Sequence, residues 1–190
     1  MGFPHDTIDI PGNHPAIARE LTDLLHHNEL SEQLMQGVIG HDVITSGKSM
    51  QSIAPGHLCA TAWVMTPQRD QILLVQHDLL GWSAPGGHMY PHETTKSAAL
   101  RELHEETGVS ADEVVLAIGT PAIIHTSDVP GDRPHRHWNI SWFFIASRDV
   151  RLTSDHHARW WHCDELPTGP TDFAPTDLAP TIALFRSLPY

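Results

Sequence analysis

The segment TTKSAALRELHEETG, residues 94–108, constrains this chain more than any other, because both ends and the interior specify a helix. Thr94 or Thr95 can accept a hydrogen bond from the orphan N–H groups at its start. Gly108 can close its end in the left-handed conformation. Between them Ala99 and Leu103 make an apolar stripe, so the helix must lie on an apolar surface. The same segment carries Glu102, Glu105 and Glu106 at i, i+3 and i+4, on one face. Like charges at that spacing repel by roughly 0.2–0.5 kcal/mol per pair. A divalent cation would neutralise the crowding, whereas a solvated face would only dilute it.

The surroundings predict an α/β layered domain. HLCATAWVMT (57–66) and QILLVQH (71–77) flank the turn-like TPQRD and read as a hairpin. LLGWSAPGGHMYPHE (79–93) is rich in glycine and proline and reads as a loop. Strands are expected at VVLAIG (114–119), AIIHTS (122–127), WNISWFFIAS (138–147) and HARWWHC (157–163). DLAPTIALFRSL reads as a short helix that Pro180 begins or kinks. Mixed strands with one central and one late helix give the layered class. Residues 15–39 read as helical on the stripe Ile17, Leu21, Leu24, Leu25, continued by Leu30 and Leu34, and TSGKSMQSIAPG (45–56) reads as a linker. The chain therefore divides into an extension, 1–56, and a domain, 57–190. The extension's stripe must bury itself on that domain or on a second copy, which makes a homodimer one of the expected outcomes.

Outward from the three glutamates the spacing becomes specific. Gly87 is followed after five residues by Glu93, and after seven more by Arg101, Glu102, Leu103, Glu105, Glu106, Gly108 and Val109 in the order R-E-U-x-E-E-x-G-U, with U aliphatic. From average residue usage, chance agreement at one starting point is on the order of 10⁻⁹. The pattern resembles the box of the Nudix hydrolase family at every defined position. WSAPGGH and RWWHCDEL resemble the family's W-x-x-P-G-G-x and W-x-x-x-D-E-L stretches, so the resemblance spans roughly 57–187.

The resemblance implies a Nudix α/β/α sandwich with a mixed sheet, here with an N-terminal helical extension. It implies hydrolysis of a phosphoanhydride in a nucleoside diphosphate linked to another moiety, with Mg²⁺ or Mn²⁺ held by Glu102, Glu105 and Glu106 and by backbone at Gly86. Hard cations of this kind take oxygen ligands and share them with substrate phosphates. Glu93 and Arg101 are expected to clamp loop to helix. The base is one of the three glutamates or Asp155, the nearest carboxylate before the late tryptophan. HRHWNISWFF resembles an H-x-H-x-D stretch of some Nudix proteins, with Asn139 at the acidic place. His125, His135, His137 and Arg136 are thus substrate-binding candidates, against the plain reading that they are strand-edge residues. A zinc among these histidines is disfavoured because no cysteine accompanies them in sequence. Trp63, Trp82, Trp138 and Trp142 can stack on a base, though strand tryptophans more often fill cores.

The formal net charge of −12 argues against non-specific grip on nucleic acid polymers or anionic membranes. It leaves a small phosphorylated substrate open, because a bound metal reverses the local field. Cys59 and Cys163 have no metal or redox spacing, and no signal peptide or membrane-spanning run is visible, so a cytoplasmic protein with reduced thiols is expected. The alternative is a Nudix domain that binds a ligand without turnover. The full glutamate set disfavours it. An isoprenoid diphosphate isomerase is disfavoured too, since neither cysteine has the setting of that relative's catalytic one.

Overall fold

The computed structural model describes Glu20 and residues 56–77, 81–90, 93–129, 135–153, 157–167 and 178–188, with backbone alone at 56–57, 123–129 and 135–136. Its centre is β1 (Gly56–Met65), which runs parallel to β7 (His135–Ala146) from Gly56 opposite Arg136 to Met65 opposite Ile145. Two parallel neighbours need a long crossover. Here the crossover carries the predicted helix α1 (Thr95–Thr107). The other edge of β1 is shared by two antiparallel strands. β2 (Gln71–His77) takes its end at Val64 and Met65, and β4 (Gly86–His88) takes Cys59 to Thr61. β3 (Gly81–Ser83) and β8 (Arg159–His162) join β2, while β5 (Val114–Leu116) and β6 (Ile123–Val129) join β7.

Both faces of the sheet are covered, which is why β1 reads almost continuously apolar. Leu58, Ala60, Ala62 and Val64 point to one side and pack with Ala98, Ala99 and Leu103 of α1. Trp63 and Met65 point to the other side, where α2 (Leu178–Ser187) brings Leu178, Ile182 and Phe185. The result is the expected α/β/α sandwich with a mixed sheet. Pro180 lies in the first turn of α2, where its missing N–H costs nothing. The far end of α2 is held by Arg69, whose guanidinium donates to the carbonyls of Phe185, Arg186 and Leu188. A cation there suits the negative end of a helix.

The loop expected over 79–93 is corrected in part: it contains β3 and β4. The glycines of β4 can extend there because β1 supplies hydrogen-bond partners distant in sequence, while β3 folds back locally onto β2. Conversely, β5 stops at Leu116, short of the expected Gly119. Of the predicted N-terminal helix only Glu20 lies among the described residues, in a helical conformation; the apolar stripe lies outside them. Glu20 Oε2 accepts from Thr95 N at 3.0 Å and Thr95 Oγ1 at 2.5 Å, and Thr95 Oγ1 accepts from Trp142 Nε1 at 2.9 Å. An extension carboxylate thus meets the positive end of α1.

Candidate active site

The glutamates reach their places because α1 is fixed at both ends. Thr94 caps the start, accepting from Ser97 N at 3.1 Å while Ser97 Oγ accepts from Thr94 N at 2.8 Å. Gly108 closes the end at φ 81°, donating to His104 O at 2.8 Å. Leu103 is fully buried against the sheet. Its neighbours Glu102 and Glu106 are consequently drawn toward β4, and Glu105 stays half-exposed.

β4 is shaped to receive them. Gly86 N donates to Glu106 Oε2 at 2.9 Å. A Cβ on Gly87 would lie 2.5 Å from Glu102 Oε1, so only glycine admits that carboxylate unmoved. Arg101 ties the loop to the helix. Its Nε and Nη2 donate to the two oxygens of Glu93 at 2.7 and 3.1 Å, its Nη2 to His88 O at 2.7 Å, and its Nη1 to Glu102 at 2.7 Å and Glu105 at 2.9 Å. Glu93 also accepts from Tyr90 N at 2.7 Å, and the Tyr90 ring lies 4.0 Å from the guanidinium carbon. Burial would lower the Arg101 pKa, but its bonds to Glu93 and Glu102 outweigh it and raise it.

The carboxylates are short of positive charge. Burial pushes the Glu106 carboxyl up to about 7; the Gly86 N–H opposes this, and the charges of Glu102 and Glu105 reinforce it. Burial also raises Glu102, against the pull of Arg101. Two half-buried carboxyls that resist ionisation, offering oxygen donors alone, are what a hard divalent cation would relieve.

The other predicted residues distribute unevenly. His125, His135 and Arg136 are strand residues of β6 and β7, with side chains outside the described set. Asp155 lies outside it altogether. Asn139 stands opposite Cys59 and His125 in the sheet. His137 is half-buried, its Nε2 3.3 Å from His88 Nε2. The expectation that no cysteine accompanies His125, His135 and His137 is corrected for His137: Cys59 lies beside it and beside His88, which was not in that cluster. Sequence spacing missed the trio because three strands supply it. Trp63, Trp138 and Trp142 are core residues. Trp82 is half-buried, edge-on to Trp161 at 5.0 Å, and lines a cleft of about 350 Å³ with Gln76, His157, Ala158 and Arg159.

A helix bearing the box, a glycine strand against it and a mixed sheet between helices define a Nudix architecture, and comparison with known proteins agrees. The NUDIX domain family model matches residues 56–185. An RNA pyrophosphohydrolase of Erythrobacter litoralis is 31% identical over 127 residues, covering 58% of this chain and 77% of that protein. An 8-oxo-dGTP diphosphatase of Proteus vulgaris is 29% identical over 97 residues, covering 48% and 79%. A NUDIX-family hydrolase of Clostridium perfringens shares the fold at a TM-score of 0.55 and 16% identity, covering 68% of this chain and 95% of that one. The chain belongs to the Nudix family. Within it, this is a diphosphohydrolase-type member.

Proposed function

We propose that the protein hydrolyses a phosphoanhydride bond in a nucleoside diphosphate linked to another moiety, using Mg²⁺ or Mn²⁺ held by Glu102, Glu105 and Glu106 with the Gly86 backbone. The observation that carries this reading is the setting of Glu106: a half-buried carboxyl bonded to Gly86 N and crowded by Glu102 and Glu105, pushed up to about 7 chiefly by burial. When bound, the metal would offset diphosphate charge and lower the pKa of a water. The chain's own residues prepare the place. Arg101 holds Glu102 and Glu105 in position, and Glu93 holds Arg101. Gly87 leaves the space that Glu102 fills. One of the glutamates, or Asp155, would take the proton from water. His125, His135 and Arg136 remain proposed substrate contacts.

The relatives named for RNA and for 8-oxo-dGTP support a nucleotide-derived substrate. The test is a panel of dinucleotide polyphosphates, nucleotide sugars, oxidised nucleoside triphosphates, NAD-like compounds and a short RNA with a 5′ polyphosphate, each with Mg²⁺ or Mn²⁺. Hydrolysis of a panel member should require the metal. It should fall by at least on the order of 10²-fold in the Glu105→Gln, Glu106→Gln double variant, which keeps size and removes charge. Unchanged turnover in that variant would refute the assignment. Tight binding throughout the panel with no product would favour a ligand-binding domain instead.

A further inference from the structure

The glycine strand β4 has a second side, turned away from α1 and its three glutamates. Alternation along β1 turns Ala60 toward α1 and Cys59 the other way. Cys59 stands opposite His88 in β4 and opposite Asn139 in β7, so His88 and, two residues before Asn139, His137 share the face of Cys59. Their donor atoms, one thiol sulfur and two imidazole nitrogens, all lie within 4.8 Å of one another. Cys59 is buried and both histidines are half-buried.

The geometry points to a second metal site here: Cys59 Sγ, His88 Nε2 and His137 Nε2 bind one borderline-soft divalent cation of the zinc class. Tetrahedral Zn²⁺ with its usual bond lengths sets ligand nitrogens about 3.3 Å apart and a sulfur about 3.6 Å from each. The two Nε2 atoms are already 3.3 Å apart, with their rings at 88°. Closing the sulfur from within 4.8 Å onto them takes a shift of about 1.2 Å at most, within reach of a rotamer adjustment. Thiolate and imidazole select zinc-like ions, whereas the carboxylates on the α1 side select hard ones, so the two sites differ in chemistry. Burial raises the thiol pKa, with the charge of Glu102 adding to it, so metal binding at Cys59 releases a proton. Three protein donors leave one tetrahedral position for water or another ligand. The metal would pin β4 to β1 and β7 directly behind Gly86 and Gly87. Its consequence is to hold in register the strand on which Glu102 and Glu106 rest.

The test uses the untagged full chain, stripped with chelator and titrated with Co²⁺ under excess Mg²⁺, so that the hard site is occupied. Expected are tetrahedral cobalt bands and a thiolate-to-cobalt charge-transfer band that saturate at one equivalent and are displaced by Zn²⁺. Cys163 is buried among α2-side residues, so Cys163→Ser should keep the charge-transfer band. Cys59→Ser should lose it, and His137→Gln should weaken Co²⁺ binding by about 10-fold or more. Circular dichroism checks that each variant is folded. If Cys59→Ser does not fold, the His137→Gln and wild-type titrations decide the matter. A wild-type titration without the charge-transfer band would overturn the proposal and leave a plain histidine–histidine hydrogen bond. So would wild-type Co²⁺ affinity in folded Cys59→Ser or His137→Gln. The spectrum reads ligation and not turnover. A protein with the band but inert on every diphosphate would therefore sink the hydrolase reading alone, and an active protein without it would sink this one alone.

Discussion

Gly86 and Gly87 are adjacent in β4, yet adding one methyl group should damage two different properties. At Gly87 the added Cβ would lie 2.5 Å from Glu102 Oε1 and 2.7 Å from its Cδ. Ordinary contact begins near 3.4 Å, so the carboxylate must retreat by about 0.9 Å. That movement strains the 2.7 Å bond from Arg101, a charge-assisted bond whose loss costs about 1.5–3 kcal/mol. It also moves a proposed metal ligand by a distance that can reduce rate about 10²-fold. At Gly86 the added Cβ would meet backbone of β1, 2.7 Å from Ala60 O and 2.9 Å from Thr61 Cα. Backbone in a buried strand cannot retreat, so β4 must part from β1. The expected outcome is that Gly87→Ala remains folded and loses on the order of 10²-fold in kcat/KM. Gly86→Ala should lose the greater share of thermal stability. Steady-state kinetics on the best panel substrate and thermal denaturation of both variants provide the comparison. Wild-type kcat/KM in Gly87→Ala would show that Glu102 need not sit where it does, and equal destabilisation of both variants would remove the distinction between side-chain and backbone obstruction.

The metal-free protein should lose stability as pH rises from about 4.5 to about 7, because folded Glu106 still holds a proton that the unfolded chain has released. That shift alone corresponds to about 3 kcal/mol, and urea denaturation in chelator at pH 5 and pH 8 measures it; a more stable protein at pH 8 would contradict the burial argument. Glu93→Gln should cost about 1–3 kcal/mol of stability, through weakened bonds to Arg101, while lowering Mn²⁺ affinity less than Glu106→Gln does. Calorimetry reads both quantities, and the reverse order of metal affinities would assign Glu93 to the metal. A chain beginning at Gly56 loses the Glu20 carboxylate from the start of α1 and should melt at a lower temperature. Equal melting temperature and oligomeric state would mean that the extension does not pack on the domain.

The box was legible in the sequence because local rules write it: a cap at Thr94, a left-handed stop at Gly108, and a 3.6-residue period that sets Glu102 and Glu106 on either side of buried Leu103. The hairpin of β1 and β2 and the helix begun near Pro180 were legible for the same reason. What the tertiary structure decided is everything that depends on pairing between distant strands. GGH looks like loop until β1 supplies its partners, and then it becomes β4. The mutual crowding of Glu102 and Glu106 was visible in sequence, but their burial, and with it the rise of Glu106 to about 7, follows from how α1 lies on β4. Cys59, His88 and His137 have no recognisable spacing because each comes from a different strand. They meet through the register Cys59 opposite His88 and Asn139, set by hydrogen bonds that no local propensity encodes.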